Sequence, residues 1–335
     1  MTNQRQRIPF TLFLVLGALA LVFSMLFSIS KGAADIPFST VIEAFVNMDR
    51  ENAHHLMIKD LRLPRILTSA LVGAALGTAG AIMQGITHNP MADSGILGIN
   101  SGAGFAIAIC FAFFPQTGYR GLILWAFTGA AFSTVLIFGI AAMKRGGNSP
   151  LRLILAGAAV SALMIALSQG VALSFQISLD VLFWTVGGVS DAAWSELLMT
   201  APVIIIALTG AILLAAFISI LSMGEEVAKG LGVHTKLITG LCTLLVLALA
   251  GVSVACVGAV SFVGLIVPHL ARFCVGVDYR KIIPASVLLG ALLLVLADLG
   301  ARTVNPPTEV PLGVMTALMG VPFFLYLERI ERGSR

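Results

Sequence analysis

Apolar residues fall along this chain in blocks of about 18 or more, divided by short polar breaks, with neither the two-residue alternation of strands nor one polar face per helical turn. Each block is long enough, as a helix, to cross a hydrocarbon core of roughly 30 Å. Cutting at charge clusters, prolines and glycines predicts ten spans, near residues 10–30, 65–86, 94–114, 121–143, 150–173, 200–221, 236–257, 259–274, 282–300 and 311–328. The expected fold class is therefore an all-α polytopic membrane protein with about ten transmembrane helices, a single transmembrane domain over residues 1–335. The seventh and eighth spans are the hardest to separate, because GVSVACVGAV leaves almost no loop between them. Residues 174–199 form a mildly apolar connection with room for one or two short helices. The first block, Phe10–Ile29, follows Arg5 and Arg7 as in a signal peptide. It lacks a small-residue cleavage motif and exceeds a usual apolar region, so it reads as a retained span.

Composition agrees. The 335 residues are 58% hydrophobic and only 11% charged, with a mean hydropathy of +1.01. A soluble domain carries roughly 25% charged residues, so lipid is this chain's main solvent and no nucleic-acid partner is expected. The cysteines Cys110, Cys242, Cys256 and Cys274 lie in or beside apolar blocks without CxxC spacing, and read as buried small hydrophobes. Glycine is abundant, at 34 residues. Gly73 and Gly77, then Gly80 and Gly85, and again Gly98 and Gly102, are spaced to let helix backbones approach closely.

Lys and Arg set the orientation. With the N-terminus inside, seven of the 20 basic residues face out: Lys31, Arg50, Lys59, Arg62, Arg65, Arg120 and Arg302. The rest, Arg5, Arg7, Lys144, Arg145 and Arg335 among them, face in, which predicts both termini cytoplasmic. The outward charges crowd into the first external loop. There DLRLPR (60–65) sets Arg62 and Arg65 three apart at the mouth of the second span.

Four other stretches carry candidate chemistry. In THNPMADSGILGINSGAG (87–104), Asn89-Pro90 breaks a helix and Asp93-Ser94-Gly95 supplies a cap and a turn, as a generic short loop also would. In LSMGEEVAKGLGV (221–233), Ser222 is expected to cap a short helix. Glu225 and Glu226 would form its first turn, and Gly230 or Gly232 its end. Such a helix is either an ordinary amphipathic loop or a rigid lever for a soluble partner. Pro268-His269 near a span end reads as a structural pair or, alternatively, as a ligand or proton carrier. Asp298 and Arg302, four apart at the outer end of the ninth span, can support each other as an i,i+4 pair.

Several motifs are absent. No GxxxxGK[ST] cradles a nucleotide, no HExxH or paired ligand cluster holds a metal, and no GxSxG presents a nucleophile. Catalytic residues, a metal and a resident cofactor are therefore not expected, and the chain does not read as an enzyme. Acidic residues nearly vanish from the middle of the spans, which weighs against an ion-coupled secondary transporter. Any energy for transport would come from another subunit.

In order, LRLPR, GAALGTAGAIMQ, HNPMADSGILGINSGAG, GEEVAKGLGV, GAVSFVGLIVPHLAR, DYRKIIPAS and LADLGAR followed by EVPLGVMTALMGVPFFLYL cover nearly the whole chain. Together they resemble the iron–siderophore/cobalamin-type permeases of ABC importers, the FecCD family. The resemblance implies a type II ABC importer permease fold in the bacterial cytoplasmic membrane. It implies a second permease subunit in a homodimer or heterodimer, two cytoplasmic ABC ATPase subunits that bind the ATP, and an extracellular or periplasmic substrate-binding protein. The implied cargo is a ferric siderophore, with cobalamin or haem as alternatives, moved by alternating access. Carried over by position, the region of about residues 222–235 is the coupling helix that docks on the ATPase, with Glu225, Glu226, Ala228, Gly230, Leu231 and Gly232 matching. Asn89 and Met91 would narrow the path at the cytoplasmic gate, Met91 standing where many relatives have Leu. Arg62, Arg65 and Arg302 would form salt bridges with glutamates on the binding protein, partly wet and so releasable. Alternatively they are snorkelling charges at span ends.

Overall fold

A backbone in lipid finds no water for its N–H and C=O groups and must bond them within the segment, so each apolar block closes into a helix. A computed structural model describes residues 9–32, 35–142, 150–306 and 308–333. Arg5, Arg7, Lys144, Arg145 and Arg335 of the charge pattern lie outside the described residues. The helices are α1 (Phe10–Ser30), α2 (Phe38–Val46), α3 (Ala53–Leu56), α4 (Leu63–Thr87), α5 (Ile99–Phe113), α6 (Tyr119–Ala142), α7 (Pro150–Ser174), α8 (Ser178–Val186), α9 (Trp194–Leu221), α10 (Glu225–Gly230), α11 (Thr235–Val257), α12 (Val263–Val275), α13 (Tyr279–Thr303) and α14 (Leu312–Gly333).

Each of the ten apolar blocks is a helix. Among the described residues, seven helical stretches are long and apolar enough to cross a bilayer, while α5, α12 and the apolar part of α14 (Leu312–Leu325) are shorter. At a rise of about 1.5 Å per residue, a helix the length of α12 covers only about two-thirds of a hydrocarbon core. Non-helical backbone precedes it. Residues 258–262 separate α11 from α12, the pair that sequence alone could barely divide. This link bonds to the end of α8: Gly188 N–H donates to Val257 O at 2.9 Å, and Ala259 N–H to Thr185 O at 3.1 Å. Helix α8 fills the connection where short helices were expected. Helices α2 and α3 were not foreseen.

One π-helical turn, Met57–Arg62, runs directly into α4. Pro64 explains it. The proline has no N–H to give and crowds the preceding turn, so the helix widens until Leu63 N–H reaches Ile58 O. The widened turn keeps 53–87 a continuous helical stretch and rotates the side chain of Arg62 inward.

Helix α4 is the axis of the bundle. In its most apolar window 89% of positions are buried, against 17% in α1, and it packs on α9, α11, α12 and α13. Glycine pairs make this possible, as their spacing predicted. A Cβ added at Gly73 would overlap the carbonyl of Gly290 on α13, and one at Gly80 would overlap that of Gly264 on α12. Gly102 and Gly129 bring α5 and α6 together in the same way. In lipid, where no hydrophobic force drives helices together, such close approach gains the dispersion contacts that hold them.

The two ends of the bundle differ. One gathers the C-termini of α1 and α13 with the N-terminus of α4 and is rich in buried arginine. The other carries α10 and the turns at 88–93 and 276–278. The described chain begins and ends at the α10 side.

Candidate functional site

At the arginine end, the side chain of Arg65 forks between two carboxylates. Its Nε and Nη2 donate to Asp298 Oδ1 at 2.9 and 2.8 Å, and its Nη1 and Nη2 to Glu309 Oε1 and Oε2 at 2.9 and 2.8 Å. Asp298 also faces Arg302, whose Nη2 lies 3.2 Å from Oδ2, as the i,i+4 spacing predicted. Arg302 donates further to Lys31 O at 3.2 Å and to the backbone and hydroxyl of Ser28. Arg62 donates to Ile29 O. Arg65 and Arg302 share Asp298, and the bonds of Arg302 and Arg62 to residues 28–31 tie the end of α1 to the start of α4 and the end of α13.

The three arginines are more buried within this chain than an open rim would leave them. Arg62 and Arg302 are 7% and 4% exposed, and the Arg65 side chain is 12% exposed. The reason is the inward-turning π-turn together with Asp298, 233 residues away in sequence from Arg65, which supplies the counter-charge. Glu309 is the outermost member, 37% exposed. Sequence reasoning missed Glu309, and only its place after NPPT at the mouth of α14 hinted at it.

At the α10 end, the chain leaves α9 through Ser222, whose hydroxyl donates to Ser219 O at 2.7 Å. Ser222 thus closes α9, and Gly224, at φ 118°, precedes α10 in place of the expected serine cap. Glu225 pairs with Lys229 at 2.9 Å along α10, and Thr235 Oγ1 donates to Glu225 at 3.3 Å. The Lys229 ammonium beside Glu225 holds that carboxyl below its ordinary range. Gly232, at φ 79°, ends the helix where a left-handed residue is needed, and Val233 N–H returns to Ala228 O at 3.0 Å. Ala228 is fully buried, whereas Glu225, Glu226, Gly230, Leu231 and Gly232 are exposed. Met223, Val227 and Leu231, four apart each, form an exposed apolar strip that the sequence reading passed over.

Beside α10, His88 is left-handed at φ 52° and its Nε2 lies 2.6 Å from Leu221 O. Asn89 spends its side chain on its own turn, accepting from Met91 N–H at 2.9 Å. Asp93 caps the short 3₁₀ turn Ser94–Leu97 by accepting from Ser94 N–H at 2.7 Å. Below, Arg272 donates to Gln84 Oε1, and Gln84 donates to Gly264 O at 3.3 Å, which joins α12 to α4. The His269 ring meets Phe323 edge-on at 5.8 Å.

Between α5, α7 and α8 lies an open cavity of about 510 Å³, within the range that takes a drug-sized molecule. Its lining includes Asn100, Ser101, Ser168, Gln169, Ser178 and Thr185. Asn89 and Met91 do not reach it.

The FecCD transport family matches residues 20–329. The iron(3+)-hydroxamate import system permease protein FhuB of Bacillus subtilis (strain 168) is 46% identical over 95% of this chain and 83% of its own length. The iron-uptake system permease protein FeuB of the same organism is 38% identical over 96% of this chain and 96% of its own. A solved metal-chelate type ABC transporter in an inward-facing conformation superposes with a TM-score of 0.83 at 28% identity, covering 96% of this chain and 99% of that one.

Proposed function

This chain belongs to the FecCD transport family and is a membrane permease subunit of an ABC importer, and we propose that its cargo is a ferric siderophore. The observation carrying the cargo is the 46% identity to an iron(3+)-hydroxamate permease across nearly the whole chain. The chain itself performs no catalysis under this reading. It is a conduit paired with a second permease copy or homologue, fed by a binding protein at the arginine end and driven by two ATPases at the α10 end.

The exposed strip of Met223, Val227 and Leu231 supports the assignment of α10 as coupling helix, because a short helix fixed at Ala228 offers a partner an apolar grip and transmits its push. The same reading puts the α10 end and both termini in the cytoplasm. Asn89 and Met91, in the adjoining turn, would feel the movement of α10 through His88 and Leu221 and so narrow or widen the cytoplasmic gate. Of the three arginines, Arg65 is the best candidate for docking, since its Glu309 partner lies at the surface. Binding-protein affinity of the reconstituted complex, followed as salt rises, tests that role. A salt-independent affinity removes it.

Uptake of radiolabelled ferric siderophores, haem and cobalamin by cells carrying only this system tests the cargo. ATP-dependent accumulation of a ferric siderophore is expected. Accumulation of haem or cobalamin alone overturns the cargo, and accumulation driven by an ion gradient without the ATPase overturns the conduit itself.

A further inference from the structure

The cavity between α5, α7 and α8 has a lining that says something about charge. Its six polar side chains are two carboxamides, three serines and a threonine, and the remainder are glycine, alanine and aliphatic residues. Among the described residues, no cationic group lines it. Ser101, Ser168 and Thr185 donate their hydroxyl protons to the carbonyls of Gly98, Gly104 and Val181, at 3.0, 3.3 and 2.7 Å, which leaves oxygen lone pairs to accept from a ligand. Asn100 and Gln169 add carboxamides that both donate and accept.

Resting on the reading above, we propose that this cavity selects ferric chelates of zero net charge, and that Gln169 and Asn100 help set that selection. Three hydroxamates, each a single anion, cancel the charge of ferric iron. Three catecholates, each doubly charged, leave a trianion, and ferric citrate complexes are anionic as well. An anion leaving water for this lining loses hydration and meets no guanidinium or ammonium in return. A neutral chelate carries carbonyl and amide groups on an apolar frame, which match carboxamides, hydroxyls and aliphatic walls one for one.

The test uses the assembled transporter in proteoliposomes, with its ATPase and binding protein, and two iron chelates that the binding protein accepts, one neutral trihydroxamate and one anionic. The ratio of their ATP-driven uptake rates in a variant, divided by the wild-type ratio, cancels the preference of the binding protein. Gln169→Lys is expected to move that ratio toward the anion by about tenfold, the factor that roughly 1.4 kcal/mol of charge pairing supplies. Gln169→Glu, nearly the same shape, is expected to move it the other way. ATP hydrolysis by each complex reports assembly, and if Gln169→Lys fails to assemble, Gln169→Glu and Asn100→Asp decide. Ratios unchanged in the variants overturn the charge selection, as they would if a lipid tail fills the cavity. A wild-type complex that takes up neither chelate overturns the functional reading itself, an outcome visible in the wild-type arm alone.

Discussion

The two ends of this bundle handle charge in opposite ways. At the arginine end the charges are buried, shared and bonded across segments more than 200 residues apart in sequence, Arg65 to Asp298 and Glu309 being the central case. At the α10 end the pairs are local and wet. Glu225 and Lys229 are four residues apart with side chains 58% and 59% exposed, and Arg280 sits two residues from Asp278. A buried pair contributes by denying its partner any alternative, and becomes a large liability once broken. An exposed pair contributes little and releases easily. The first end is therefore built as a fastening for α1, α4 and α13, and the second as an exposed surface held by local pairs.

Breaking the fastening gives the largest expected effect. Asp298 is 1% exposed and stands between two guanidinium groups. Asp298→Asn keeps the shape but removes the buried counter-charge that Arg65 and Arg302 share. The expected loss is about 3–5 kcal/mol, read as a fall in the detergent-solubilised melting temperature and in the yield of monodisperse protein. A variant as stable as the wild type would mean that water or lipid headgroups already compensate these arginines. Charge reversal at Arg65 is a poor probe of docking for the same reason: it sets a carboxylate against Asp298 and confounds docking with folding.

The contrast also explains what the sequence made legible. The ten apolar helices and their approximate ends came from block length and the polar breaks between blocks, since lipid requires each apolar run to close its own hydrogen bonds. The glycine spacing of Gly73, Gly77 and Gly80 foretold close packing, though it could not say that Gly290 and Gly264 would be the partners. The α10 end was readable because its interactions are local: Glu225 and Lys229 lie within one turn of helix, and Gly232 marks its own stop. The partners at the arginine end were not legible for the opposite reason. Nothing near residues 60–65 announces Asp298 or Glu309, and an arginine at a span mouth looks exposed until a distant carboxylate is folded onto it. Ser222 was a near miss, its hydroxyl turning back to close α9 where the pattern suggested a cap for α10.

A smaller effect sharpens the comparison at its boundary. Glu309 is the one member of the arginine network with substantial exposure, so Glu309→Ala is expected to cost at most about 1 kcal/mol of stability. It also frees one edge of Arg65 toward the surface. If a binding-protein carboxylate docks on Arg65, it no longer competes with Glu309, and affinity at low salt should rise by a factor of roughly five for 1 kcal/mol recovered. Unchanged affinity would leave the arginine network as a fastening alone.

The smallest effect belongs to the exposed pairs. Lys229 lowers the carboxyl of Glu225, and Arg280 lowers that of Asp278. A carboxyl depressed in the folded protein adds stability at any pH above its unfolded range, and that stability fades as pH falls through the depressed folded value. Around neutrality these pairs therefore leave the α10 end insensitive to pH, and only acid below the ordinary carboxylate range loosens it. Since both side chains of the α10 pair are more than half exposed, solvent screening limits its worth to about 0.3–0.5 kcal/mol. Amide exchange at Val227 and Ala228, taken as the ratio of Lys229→Ala to wild type so that intrinsic rates cancel, should show a small excess opening at pH 7 that disappears in acid. A ratio that instead changes between pH 6 and 8 would mean that the α10 end responds to protons in the range where the wet carboxylate pairs are silent.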